Sequence, residues 1–105
     1  MPLETGNEKI RVEIDIELQP IIPSFLECRR KDCERVARLL EDDCLGEIEG
    51  LGHRLKGTGG SYGFDAISEI GIALERAAAN KDRDAVIAAT RMLQRFLDRV
   101  SIDYV

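Results

Sequence analysis

The chain contains one histidine, His53, within Leu51-Gly52-His53-Arg54-Leu55-Lys56-Gly57-Thr58-Gly59-Gly60-Ser61-Tyr62-Gly63, a stretch with more glycine than a helix ordinarily tolerates. A solvent-facing imidazole is a good nucleophile near neutral pH, because its unperturbed pKa of about 6.5 leaves most of it unprotonated. Lys56, one helical turn further on, places a cation where it would offset negative charge arriving on the ring. Other chemistries find less support. The run from Gly57 to Gly63 is not a phosphate-binding P-loop, which needs its lysine after the last glycine and a strand before the first. Cys28, Cys33 and Cys44 are odd in number and lack C-x-x-C spacing, so they suggest neither a disulfide framework nor a zinc site. With one histidine and no thiolate pair, no metal site is expected. The cysteines read as small buried or boundary residues.

The element that must carry His53 is an amphipathic helix. Leu45, Ile48, Leu55 and Tyr62, with small Gly52 and Gly59 between them, keep the three-and-four spacing of one helical face. His53 falls well off that stripe. Its helical neighbours are Gly46, Glu49, Gly50, Lys56, Gly57 and Gly60, which leaves the imidazole on a nearly bare surface. Each interior glycine costs about 1 kcal/mol against alanine. A series of such costs implies that another molecule must come close to the ring. The alternative, an inert surface histidine, leaves the glycines and Lys56 without a purpose.

Three further helices surround this one. Pro20 and Pro23 mark a helix start, and Ile22, Phe25, Leu26, Cys33, Val36 and Leu40 trace its apolar stripe, with Glu27, Arg30, Lys31, Glu34, Arg35 and Arg38 outside it. The basic run Arg29-Arg30-Lys31 has acidic flanks and reads as a solvated face. Asp42-Asp43 are expected to cap the second helix, which opens with Cys44 and Leu45 and closes near Gly63. Asp65 is the expected cap of the third helix, with stripe Ile67, Ile70, Gly71, Leu74 and Ala78, where Gly71 allows close helix contact. After the turn Asn80-Lys81-Asp82, Val86, Ala89, Leu93, Phe96 and Val100 form the fourth stripe. Four amphipathic helices on short connections predict an all-α, antiparallel up-down four-helix bundle over residues 20–105.

Residues 1–19 form an extended N-terminal arm in this reading. Ile10, Val12, Ile14, Ile16 and Leu18 alternate with Arg11, Glu13, Asp15 and Glu17, the period of a half-buried strand. Val100 to Val105 also alternate, so the arm either pairs with the C-terminal tail or stays a mobile terminus.

A chain of 105 residues supports one domain, and with no tryptophan and few aromatics its core is expected to be aliphatic. A net charge of −5 and a pI near 4.9 argue against a nucleic-acid partner. No apolar run reaches the roughly 20 residues of a membrane span. Met1-Pro2-Leu3-Glu4-Thr5 lacks the character of a signal peptide, so a cytoplasmic monomer away from membranes is expected.

His53-Arg54-Leu55-Lys56-Gly57, followed by Gly63-Phe64 and later Leu74-Glu75, resembles the histidine-containing phosphotransfer (HPt) domain of two-component phosphorelay signalling, over roughly Ile21 onward. The resemblance implies a carrier that takes a phosphoryl group on His53 as a labile phosphoramidate and exchanges it with an aspartate of a receiver domain. Its partners would be a response-regulator receiver domain and a histidine kinase. Lys56 would offset an added charge of about −2. Glu75 would hydrogen-bond and orient the imidazole, as in similar domains of chemotaxis-type kinases, or else be an ordinary solvated glutamate. Gly46, Glu49, Gly50, Arg54, Gly57 and Gly60 would form the docking face. The chain would need no cofactor and would not be an enzyme in its own right, since the receiver brings the Mg²⁺. Many similar domains carry a small hydroxyl residue directly after the histidine, whereas this chain has Arg54, a departure that bears on partner choice. A docking-only bundle that binds a receiver or kinase without taking phosphate is the competing reading. Whether the domain is free-standing or cut from a larger hybrid kinase, and in which direction phosphoryl flows, stay open.

Overall fold

The computed structural model describes residues 8–105, so the start of the expected arm, including the Met1 to Thr5 segment, lies outside the described residues. Strand β1 (Ile10–Ile14) leads through a 3-10 turn (Ile16–Leu18) into helices α1 (Ile22–Glu41), α2 (Leu45–Ser61), α3 (Asp65–Ala79) and α4 (Arg83–Arg99), and β2 (Val100–Tyr104) follows α4 directly. The four helices form the expected bundle, in which α1 packs on α2 and α4, and α3 on α2 and α4. The three connections, residues 42–44, 62–64 and 80–82, are too short for anything but antiparallel neighbours.

Local chemistry explains most of the boundaries. Pro23 sits in the first turn of α1, where a missing N–H is harmless. Gly63 takes φ +88° after α2, a conformation that glycine adopts without a Cβ penalty. Asp82 caps α4 by accepting from the Ala85 N–H at 3.1 Å.

Two expected caps are not made. Cys44 holds the cap position of α2 with no side-chain hydrogen bond. Asp43 instead takes φ +58° after α1 and accepts from Arg83 Nη1 at 2.8 Å, while Arg83 Nη2 donates to the Leu40 carbonyl at 2.8 Å. The carboxylate expected to start a helix thus ties the α1–α2 connection to α4. Phe64, buried in the core, holds the cap position of α3, and Asp65 is that helix's first residue, where its charge suits the positive end of the helix dipole.

The predicted stripes are the buried faces of the helices, with Leu51, Ala77 and Leu97 added to them and Leu26, Leu40, Leu45, Tyr62 and Val100 packed at the edge. The core is not purely aliphatic. All three phenylalanines meet at one end of the bundle, Phe25 stacked on Phe64 with centroids 5.5 Å apart and Phe96 edge-on to Phe64 at 6.2 Å. Few aromatics were enough because three helix ends converge there. Cys33 is buried, and desolvation, reinforced by Asp32, pushes its thiol up to about 11. Cys44 is half-buried, but Cys28 is exposed rather than a boundary residue.

The two chain ends pair. β1 and β2 form a parallel ladder from Ile10 opposite Val100 to Ile14 opposite Tyr104, and Ile14 is buried in the core. The alternation does not continue as strand to Leu18. Asp15 accepts from the Glu17 N–H and opens the 3-10 turn, which leaves Ile16 55% exposed instead of on the buried side. The run Arg29-Arg30-Lys31 is partly engaged within the domain: Arg29 lies over the Phe25 ring and pairs with Asp32, and Arg30 bonds Asp98 and the Leu97 carbonyl. No described helix is long and apolar enough to cross a membrane.

Candidate functional site

Helices α2 and α3 come into backbone contact next to His53. A Cβ added to Gly52 would stand 2.6 Å from the Glu75 nitrogen and 2.9 Å from the Gly71 carbonyl. One added to Gly71 would stand 2.5 Å from the Lys56 nitrogen and 2.7 Å from the Gly52 carbonyl. Separations under 3 Å leave no room for a side chain, so the backbones of α2 and α3 touch. Gly59 repeats the arrangement two turns on, against Ser68 and Ile67. Between the two contacts, the Ser68 hydroxyl donates to the Lys56 carbonyl at 2.7 Å, a bond from helix to helix.

This contact sets Glu75 beside His53. Gly52 precedes His53 in the chain and meets the backbone of Glu75, so the carboxylate reaches His53 Nδ1 at 3.0 Å. A carboxylate can only accept, so the bond requires the proton on Nδ1. Nε2 makes no hydrogen bond among the described residues. The histidine side chain is 66% exposed, whereas that of Glu75 is 26% exposed. A half-sunk carboxylate therefore holds a projecting ring. Exposed ion pairs contribute only about 0–1 kcal/mol to stability, so the bond matters for ring geometry rather than for folding.

Lys56 also meets Glu75, its Nζ lying 3.6 Å from Oε1. The sequence placed Lys56 near the ring but did not show that its charge is shared with an acid of α3. Lys56 and Glu75 are on different helices, and only the register set by Gly52 and Gly71 brings them together; those two glycines were the available signal.

The remaining predicted positions all lie on α2, exposed or half-buried. A Cβ on Gly46 or Gly57 would meet nothing within 4 Å, and one on Gly60 only the Ser68 hydroxyl at 4.0 Å. Beside Gly50 lies the guanidinium of Arg54, whose Nη1 would be 3.7 Å from an added Cβ. Glu49 is exposed and makes no ion pair among the described residues, whereas Glu47, on the flank towards α1, pairs with Arg35 at 3.7 Å. No cluster of three or more metal-binding side chains occurs among the described residues.

Residues 21–101 match the family model of the Hpt domain, so the chain belongs to the Hpt domain family. Domains of this family are phosphorelay carriers that interact with receiver domains and kinases, and their role is to carry the phosphoryl group rather than to catalyse. Searches of the curated proteins and of the solved structures return no significant match.

Proposed function

We propose that His53 is the phosphoacceptor of this carrier and exchanges a phosphoryl group with the aspartate of a response-regulator receiver domain. The observation that carries this reading is the bond from Nδ1 to Glu75, which leaves Nε2 as the free ring nitrogen on an exposed helix. The Nε2 lone pair attacks phosphorus and forms the P–N bond. The P–O bond to the partner's aspartate breaks, and that carboxylate leaves with the electron pair. The proton on Nδ1 stays shared with Glu75, whose negative charge steadies the positive charge gained by the ring. The reverse sequence returns the group to a receiver.

Little of the catalysis resides in this chain. The receiver supplies its own Mg²⁺, and the carrier supplies an oriented nucleophile and an open approach over Gly46, Gly57 and Gly60. Lys56 compensates charge through Glu75, neutralising a carboxylate that would otherwise face the incoming phosphoryl group. A histidine kinase as the second partner and a cytoplasmic setting complete the reading, with no cofactor held by the domain itself.

The test is His53→Gln incubated with a phosphorylated receiver. The variant should keep its helical content and melting temperature and take up no acid-labile, base-stable label. Label on the variant would remove His53 as the acceptor. A wild-type protein that binds the receiver and never takes label would establish the docking-only alternative.

A further inference from the structure

Resting on His53 as the phosphoacceptor, we infer that the cation meeting the phosphoryl group on Nε2 is Arg54 rather than Lys56. Two acids and two cations neighbour His53 along α2 or across from it on α3: Glu49, Lys56 and Arg54 by position on the helix, and Glu75 by its bond to the ring. Lys56 is drawn towards α3, its ammonium 3.6 Å from Glu75. Arg54 has no ion pair among the described residues. Its helical neighbours three and four positions away are Leu51, Gly50, Gly57 and Thr58, all uncharged. Glu49, five positions earlier, projects from a different side of the helix.

The side chain of Arg54 is laid back over Gly50, with Nη1 3.7 Å from where a Cβ would be. Gly50 is the residue three before His53, hence its neighbour on the helix surface, and such neighbours have Cβ atoms about 5–6 Å apart. The missing side chain at Gly50 thus opens a berth beside the imidazole, and the guanidinium occupies it. A planar guanidinium offers paired donors to phosphate oxygens, which a lysine engaged elsewhere does not. Glu49 repels an arriving dianion, and the charge of Lys56 is taken up by Glu75, so an unspent cation on the opposite flank has the largest effect on it.

The main experiment uses no partner protein, and transfer from a phosphorylated receiver serves as its comparison. Potassium phosphoramidate donates its phosphoryl group to His53, with ammonia leaving, and the decay of the phosphohistidine is followed by ³¹P NMR together with the pH titration of its phosphorus resonance. Arg54→Ala should shorten the lifetime about tenfold, as for loss of a charge-assisted hydrogen bond. It should also move the phosphoryl titration to higher pH, because the dianion loses its cation. Arg54→Lys should restore part of both, and Lys56→Ala should change both less than Arg54→Ala does. Wild-type protein labelled on His53, with Arg54→Ala matching its lifetime and titration, would overturn the inference while leaving the phosphoacceptor reading intact. An effect of Arg54→Ala seen only in transfer from a receiver would likewise overturn it and make Arg54 a docking contact. Failure of the wild type to accept phosphoryl from either donor would remove both.

Discussion

Gly52 and Gly57 lie on the same helix, five residues apart, and serve opposite purposes. At Gly52 the absent side chain is filled by the backbone of α3, whereas at Gly57 it is filled by nothing in the domain. Gly59 and Gly71 belong with the first kind, and Gly46 with the second. One set brings Glu75 under the imidazole, and the other leaves the space above it clear. The pair teaches that glycine content in a helix has no single meaning; the helix face decides whether the missing side chain is replaced by a neighbouring helix or leaves open space.

The comparison breaks most visibly at the inner face. Gly52→Ala forces α2 and α3 apart, and overpacking of this kind costs about 1–3 kcal/mol, or roughly 4–8 °C of melting temperature per kcal/mol in a domain of this size. The bond between Glu75 and His53 should loosen with it, which ¹⁵N NMR of the imidazole would detect as a change in tautomer population. A variant as stable as wild type, with an unchanged ring spectrum, would show that the close approach is dispensable.

Gly57→Arg probes the outer face with a larger side chain. Thermal stability should equal or exceed that of the wild type, because glycine is the poorer helix former by about 1 kcal/mol. Phosphotransfer from a receiver should fall by about 10²-fold, since displacing the reacting groups by even an ångström has that effect. A melting temperature lowered by many degrees would instead assign Gly57 to internal packing.

Glu75→Ala separates positioning from stability. Transfer should drop by about tenfold through loss of the oriented tautomer, while stability changes by less than about 1 kcal/mol. Transfer equal to wild type would make Glu75 an ordinary solvated acid. The smallest effect is expected at Gly46, two turns before His53, where alanine should add up to about 1 kcal/mol of stability and leave the imidazole ¹⁵N spectrum unchanged. A measurable loss of stability there would place Gly46 with the inner set.

The local rules reached the helices and most of the buried face, because periodicity reports which side of a helix meets apolar neighbours. They failed at Asp43 and Asp65, where a carboxylate next to a helix start looked like a cap. Asp43 was claimed by Arg83 across the bundle, and the cap position of α3 went to Phe64, whose ring the core required. The alternation from Ile10 to Leu18 likewise identified a strand but not its end, since the Asp15 turn competes with the ladder.

For the site, the sequence by itself determined that His53 stands off the apolar stripe, that glycines surround it, and that Lys56 follows one turn later. These facts depend only on spacing along one helix, which 3.6 residues per turn makes predictable. Tertiary structure alone decided that Glu75 bonds Nδ1, that Lys56 spends its charge on the same carboxylate, and that Arg54 makes no ion pair among the described residues. Those relations join two helices, and their register follows from backbone contact at Gly52 and Gly71, which spacing within one helix marks as small positions without saying which residues of the other helix they meet.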